Sequence, residues 1–185
     1  MRRIKGKRYL YFILLILTVA LTACTSTSSP PSPPSPDFKL YEGNSLRIAV
    51  VGEPPKVKEK QVRFTEISFD EMTSEELKSY DAVFITENNL FEAAEKNYAD
   101  VYLNSTIPFF FIGTYNFVPF TERDLEYDKS WNWATGDSYA VGVLVSQEDD
   151  TLKHWGYGLY NEEKTDENIE DVYSRIFKTI DELNH

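Results

Sequence analysis

Residues 82–86 read AVFIT and residues 107–112 read IPFFFI. Both are short, continuous apolar runs rich in β-branched and aromatic side chains, and each stops at a polar or glycine residue. Runs of this kind predict strands covered on both faces, as in a parallel sheet. Residues 46–51, LRIAVV, have the same texture and end at Gly52. Working outward from these three, VRFTEISF at 62–69 alternates and predicts a further strand between them. Pro108 is tolerable near the start of its strand, where a ladder donor can be missing.

The connections read as helices. Pro55–Lys60 predicts one short helical turn, with proline tolerated at its start. Thr73 followed by Glu76 has capping-box spacing, which predicts a helix from there to about Ser79. From Asn89 to about Leu103 the residues Leu90, Ala93, Ala94, Tyr98, Val101 and Tyr102 recur on a helical period. Apolar strands alternating with helices argue for right-handed crossovers and a parallel sheet. Residues 115–138 read as a long irregular segment. YAVGVLVS at 139–146 predicts a fifth strand, and LKHWGYGLY at 152–160 a sixth, antiparallel to the fifth because so few residues separate them. Asp166 to Leu183 predicts a final helix, with Ile169, Val172, Tyr173, Ile176, Phe177, Ile180 and Leu183 at spacings of three and four. The fold class expected is α/β: a single three-layer domain with a mostly parallel sheet of about six strands, the last antiparallel, and flanking helices. The pattern over 46–113, SYDAVFIT before a helix and then IPFFFIGT, resembles the flavodoxin-like and response-regulator-like doubly wound domains. An architecture of this kind hosts many functions and names none.

Ahead of the domain lies YLYFILLILTVALTAC, residues 9–24, which ends in the only cysteine of the chain. Arg2, Arg3, Lys5, Lys7 and Arg8 precede it. A basic start, a short apolar run and small residues before a cut form a secretory signal pattern. The run is shorter than the roughly 20 apolar residues that span a bilayer. Leu21-Thr22-Ala23-Cys24 resembles the lipobox of bacterial lipoprotein precursors. That resemblance implies a diacylglyceryl group on the Cys24 sulfur and cleavage just before it. Two acyl chains suffice for stable anchoring, each buried CH₂ adding about 0.8 kcal/mol. Residues 1–23 are therefore expected to be a signal peptide, 24–37 a Ser/Thr/Pro-rich linker and 38–185 the α/β domain. TSTSSPPSPPSP, residues 25–36, lacks apolar residues and predicts an extended spacer of roughly 30–40 Å at about 3.1 Å per residue.

Residues 1–23 hold five of the 19 Lys and Arg and none of the 30 Asp and Glu, so the remaining chain carries a net charge of −16. A surface so acidic disfavours nucleic acid as a partner. With its cysteine lipidated, the domain has no disulfide or thiol nucleophile and must rely on its core.

In open parallel sheets ligands bind beyond the carboxyl ends of strands, where strand order reverses. Gly52, Glu53, Glu87, Asn88, Gly113, Thr114 and Tyr115 fall there. Glu53 and Glu87 are the candidate catalytic pair, as acid and base if one pKa were raised. Thr114, Tyr115, Trp131, Trp133 and Trp155 are the candidate binding residues, since exposed aromatics dominate contact energies. Glu53-Pro54-Pro55 places a negative charge and two missing amide donors where a flavin or dinucleotide would need a phosphate loop, so no cofactor is expected. Glu87 stands where a receiver domain carries its phosphoacceptor Asp. No metal is expected either: His154 and His185 are far apart in sequence, and Glu148-Asp149-Asp150 lacks calcium-loop spacing. The reading is a lipid-anchored, extracytoplasmic binding or interaction module at the cell membrane, of unknown ligand and without catalysis. The alternative is a membrane-tethered hydrolase-like enzyme using the strand-end carboxylates.

Overall fold

Leu46–Val51 forms β1, and its side chains divide between two cores. Leu46, Ile48 and Val50 face one layer, while Ala49 and Val51 face the other. That is what a period of two does to an apolar run covered on both faces. The structure, a computed structural model, describes residues 37–184. The expected signal peptide, Cys24, the linker up to residue 36, and His185 lie outside the described residues.

The other strands are β2 (Val62–Ile67), β3 (Ala82–Ile85), β4 (Phe109–Ile112), β5 (Ser138–Val145) and β6 (Leu152–Gly158). They form one sheet in the order β2-β1-β3-β4-β5-β6. β1 pairs in parallel with β2 and β3, and β3 with β4. β5 is antiparallel to β4, and β6 is antiparallel to β5. This is the expected α/β class with a mostly parallel sheet. β5 is the strand that runs against the other five. The chain runs from β1 to β2 on one side and then crosses back to β3 on the other, so strand order reverses between β1 and β3.

One face of the sheet is covered by a single long helix, α5 (Asp166–Leu183), capped by Thr165, whose side chain accepts from the Asn168 amide. Its buried stripe of Val172, Tyr173, Ile176, Phe177 and Ile180 meets Ile48, Val50, Phe84 and Phe110. Phe84 is the centre of this layer. Its ring lies 6.2 Å from Phe177, 5.9 Å from Tyr173 and 5.6 Å from Phe110. The opposite face carries four short helices: α1 (Ser74–Leu77), α2 (Leu90–Ala93), α3 (Lys96–Leu103) and α4 (Val118–Thr121). Tyr102, Phe109, Phe111 and Phe120 fill the space beneath them, with Phe111 and Phe120 stacked at 3.7 Å. Thr73 caps α1 by accepting from the Glu76 amide, the spacing read in the sequence.

Three local expectations are corrected. The helix predicted from Asn89 to Leu103 is broken between α2 and α3, where Glu95 is extended at φ −65°, ψ 135°. The Tyr102 hydroxyl donates to the Ala93 carbonyl at 2.8 Å, taking up an acceptor near the break. No helical turn forms over Pro55–Lys60. The chain there is drawn in by Glu59, which is buried and accepts from the Tyr41 amide at 3.3 Å and from the Ser174 hydroxyl. Residues 115–138 are not wholly irregular, since they contain α4 and a 3₁₀ turn at Lys129–Trp131.

Candidate functional site

The order reversal places the first candidate crevice at the carboxyl ends of β1 and β3. Three donors converge there on one acceptor, the Val51 carbonyl. They are the Thr86 amide at 3.2 Å, the Thr86 hydroxyl at 3.3 Å and the Asn89 side-chain amide at 3.3 Å. Asn89 also donates to Thr86 Oγ1 at 3.0 Å. The approach is so close that only glycine fits at 52. Its φ is +108°, and a Cβ there would lie 2.1 Å from Thr86 Oγ1. Thr86 and Asn89 thus tie the ends of β1 and β3 together, and a groove of about 740 Å³ lined by Gly52, Glu66, Asp70, Asn89 and Glu92 opens beside them.

The candidate carboxylates part ways. Glu53 is exposed and lines a groove of about 490 Å³ with Pro54, Pro55, Asp166 and Tyr173 on the α5 side. Glu87 is not a wall of that groove. It packs across Gly113, where a Cβ would lie 2.8 Å from both its Cβ and Cγ, and its Oε2 meets Lys164 Nζ at 3.2 Å.

The candidate binding residues also divide. Thr114 is fully buried and bridges to Asn132. Its hydroxyl donates to the Trp131 carbonyl at 2.7 Å and accepts from the Asn116 amide at 3.3 Å. It is a staple for the loop rather than a free contact. Tyr115 is exposed. Trp131 packs under the short helices, beside Tyr127 at 5.9 Å. Trp133 and Trp155 pack on the α5 face, Trp155 at 6.4 Å from Phe110. All three tryptophans are half-buried, on two faces of the sheet. They do not form one exposed platform. Asp149 accepts from the Thr151 hydroxyl at 2.8 Å, which holds its carboxyl below the usual range and closes the acidic turn. Among the described residues no cluster of three or more His, Cys, Asp or Glu is arranged for a metal.

What sequence reasoning missed is a constellation at the ends of β3, β4 and β5. Lys164 Nζ lies 5.5 Å from the ring centre of Trp133 and 5.4 Å from that of Tyr139, with Glu87 on its remaining side. The two rings meet edge to face at 6.3 Å. Backbone bonds lock them together: Trp133 N donates to Gly113 O at 2.8 Å, and Gly113 N donates to Tyr139 O at 2.7 Å. Tyr139 is buried, and burial first, then the charge of Glu87, pushes its phenol up to about 12. Trp133 Nε1 is buried and has no hydrogen-bond partner among the described residues.

Lys164 comes from the β6–α5 loop, where Asn161 and Glu162 are both left-handed at φ 48° and 60°. Each such residue costs on the order of 1 kcal/mol. Asn168 pins this loop, donating to the Tyr160 carbonyl at 3.0 Å and the Glu163 carbonyl at 2.7 Å. The arrangement holds a positive charge between two ring faces and a carboxylate. None of its four side chains makes a nucleophile with a base. Comparison with protein-family models, curated proteins and solved structures gave no match.

Proposed function

We propose that the chain is a bacterial lipoprotein whose α/β domain, residues 38–185, acts as an extracytoplasmic binding module without catalysis. A diacylglyceryl group on Cys24 holds it at the cell membrane. The observation that carries the address is the apolar run closing on Leu21-Thr22-Ala23-Cys24 behind five basic residues. Two acyl chains on one sulfur suffice for stable attachment. A net charge of −16 on the remaining chain keeps such a domain soluble beside an anionic bilayer.

The reading of the domain as a binder draws support from the carboxyl edge of the sheet. Glu87 is engaged by Lys164, and Glu53 faces a different groove. A two-carboxylate hydrolase needs both groups facing one cavity. The address is tested by Cys24→Ser, with incorporation of labelled palmitate and membrane fractionation as readouts. Loss of label and of normal maturation is the expected result. Undiminished labelling and membrane retention of Cys24→Ser would refute the anchor.

A further inference from the structure

Two aromatic faces and a carboxylate around one ammonium group are the elements by which proteins recognise ammonium ligands. In this chain all three surround Lys164 Nζ, at 5.5 Å from Trp133, 5.4 Å from Tyr139 and 3.2 Å from Glu87. We propose that Glu87, Trp133 and Tyr139 form a binding site for an ammonium ligand, and that Lys164 is its built-in competitor. The inference rests on the binding half of the proposed function and is independent of the lipid anchor.

The two partners are built differently, as a receptor and a removable occupant are. The receptor is rigid. Tyr139 is the second residue of β5, Trp133 is bonded through its backbone to Gly113 just after β4, and Glu87 is wedged over that same glycine. The occupant is carried by a loop with two consecutive left-handed non-glycine residues, Asn161 and Glu162. Asn168 holds the loop, so what leaves the site is the Lys164 ammonium on its flexible four-carbon stem. The ion pair does not explain the strain by itself, because side chains 38% and 42% exposed gain little from pairing. The same exposure gives a solvent-borne cation access to the site. The domain's net negative charge raises the local concentration of cations of any kind.

Quaternary and primary ammonium groups share this chemistry, and separate probes distinguish them. The full chain in a non-ionic detergent is titrated with tetramethylammonium chloride and, separately, with n-butylammonium chloride, against sodium chloride at matched ionic strength. Tryptophan fluorescence and calorimetry report binding. Lys164→Met, which keeps the apolar stem without the charge, is expected to bind one of the two probes about tenfold more tightly than wild type, as removal of a competitor that fills the site about nine-tenths of the time requires. Tighter tetramethylammonium binding assigns a quaternary ligand, and tighter butylammonium binding a primary one. Lys164→Gln is run beside it, so that a packing defect in one variant does not decide the outcome. Glu87→Gln or Trp133→Leu, added to Lys164→Met, is expected to abolish the gain. No gain in either Lys164 variant, an equal gain with sodium, or a gain that survives Trp133→Leu would overturn the proposal. Labelling at Cys24 is unaffected by all of these results, so failure of the cage and failure of the anchor are read separately.

Discussion

Gly113 joins the fold to the site, and replacing it with alanine tests whether that joint is as tight as the structure makes it. Two costs arise. The first is conformational: φ at Gly113 is +90°, a region that costs an L-residue about 1–2 kcal/mol. The second is steric: the new Cβ would stand 2.8 Å from Glu87 Cβ and Cγ and 3.0 Å from its Cδ. Relieving that overlap means moving Glu87 off Lys164, at about 1–3 kcal/mol for an overpacked position. Gly136 separates the two costs. Its φ is +96°, and nothing lies within 4 Å of where its Cβ would be. Gly→Ala also narrows the unfolded ensemble, which offsets about 0.4–1 kcal/mol in both variants. The expected losses are therefore about 0.5–1 kcal/mol for Gly136→Ala and about 2–4 kcal/mol for Gly113→Ala. The assay is urea unfolding of the full chain in non-ionic detergent, followed by tryptophan fluorescence, with midpoint and slope fitted for each variant. A slope unchanged from wild type assigns the midpoint shift to stability. If the two variants fall within about 0.5 kcal/mol of each other, Glu87 yields freely to the added methyl. The wedge of Glu87 over Gly113, and with it the rigid receptor, would then be wrong.

Two further outcomes follow from buried polar groups. Glu59, 5% exposed, ties the segment at Tyr41 to α5 through the Tyr41 amide and the Ser174 hydroxyl. Glu59→Ala leaves both donors without their acceptor and is expected to cost about 2–3 kcal/mol, whereas Glu59→Gln, which keeps an acceptor oxygen, retains most of the stability; equal urea midpoints for Glu59→Ala and wild type would refute this. Burial pushes Tyr139 and Tyr157 from the ordinary value of 10 up to about 12. Between those values the unfolded chain has lost protons that the fold retains, so their contribution is complete below pH 10 and falls as pH rises towards 12. The slope is about 1.4 kcal/mol per pH unit for each phenol. Urea midpoints taken between about pH 9 and pH 11 check it, and a flat profile across that interval contradicts the buried phenols.

The elements that were legible in the sequence are those whose cause is local. The bounds of β1 and α5 coincide with the reading, Leu46–Val51 and Asp166–Leu183. An apolar run stopped by glycine, or a stripe at spacings of three and four behind a Thr cap, carries its own explanation. The break at Glu95 has no such signature, because Leu90, Ala93, Ala94, Tyr98 and Tyr102 keep the helical period across it. The contact that accommodates the break joins residues nine apart, Tyr102 and Ala93. The irregular course of 55–60 likewise depends on Glu59 finding Ser174 far along the chain. Direction along the sheet was partly legible: a short β5–β6 connection forces an antiparallel pair. The reversal between β4 and β5 was not, since it follows from the long 113–137 loop returning to the end of the sheet where β4 stops, with Gly113 N donating to Tyr139 O.

The same distinction explains the site. The proposed covalent address, Leu21-Thr22-Ala23-Cys24, is contiguous, so the sequence displays it whole. The ammonium constellation draws Glu87, Gly113, Trp133, Tyr139 and Lys164 from separate stretches, and they meet because β3, β4 and β5 begin or end at one edge of the sheet. Glu87 and Trp133 were singled out, but for partners they do not have. Glu87 pairs with Glu53 in the sequence by their common position after a strand, and Trp133 groups with Trp131 and Trp155 as candidate binding aromatics. Trp131 closes a 3₁₀ turn and Asn132 after it is extended, so the regular alternation of a strand does not hold between the two tryptophans, and they enter opposite cores. Lys164 carried no signal: in Asn161-Glu162-Glu163-Lys164-Thr165 it reads as one more charge in a solvated loop. Its placement turns on the sign of φ at residues 161 and 162, and of these only Asn161 belongs to a residue type that visits the left-handed region readily. Net charge sets the sign of what this domain attracts, and two backbone angles decide where its own lysine competes for it.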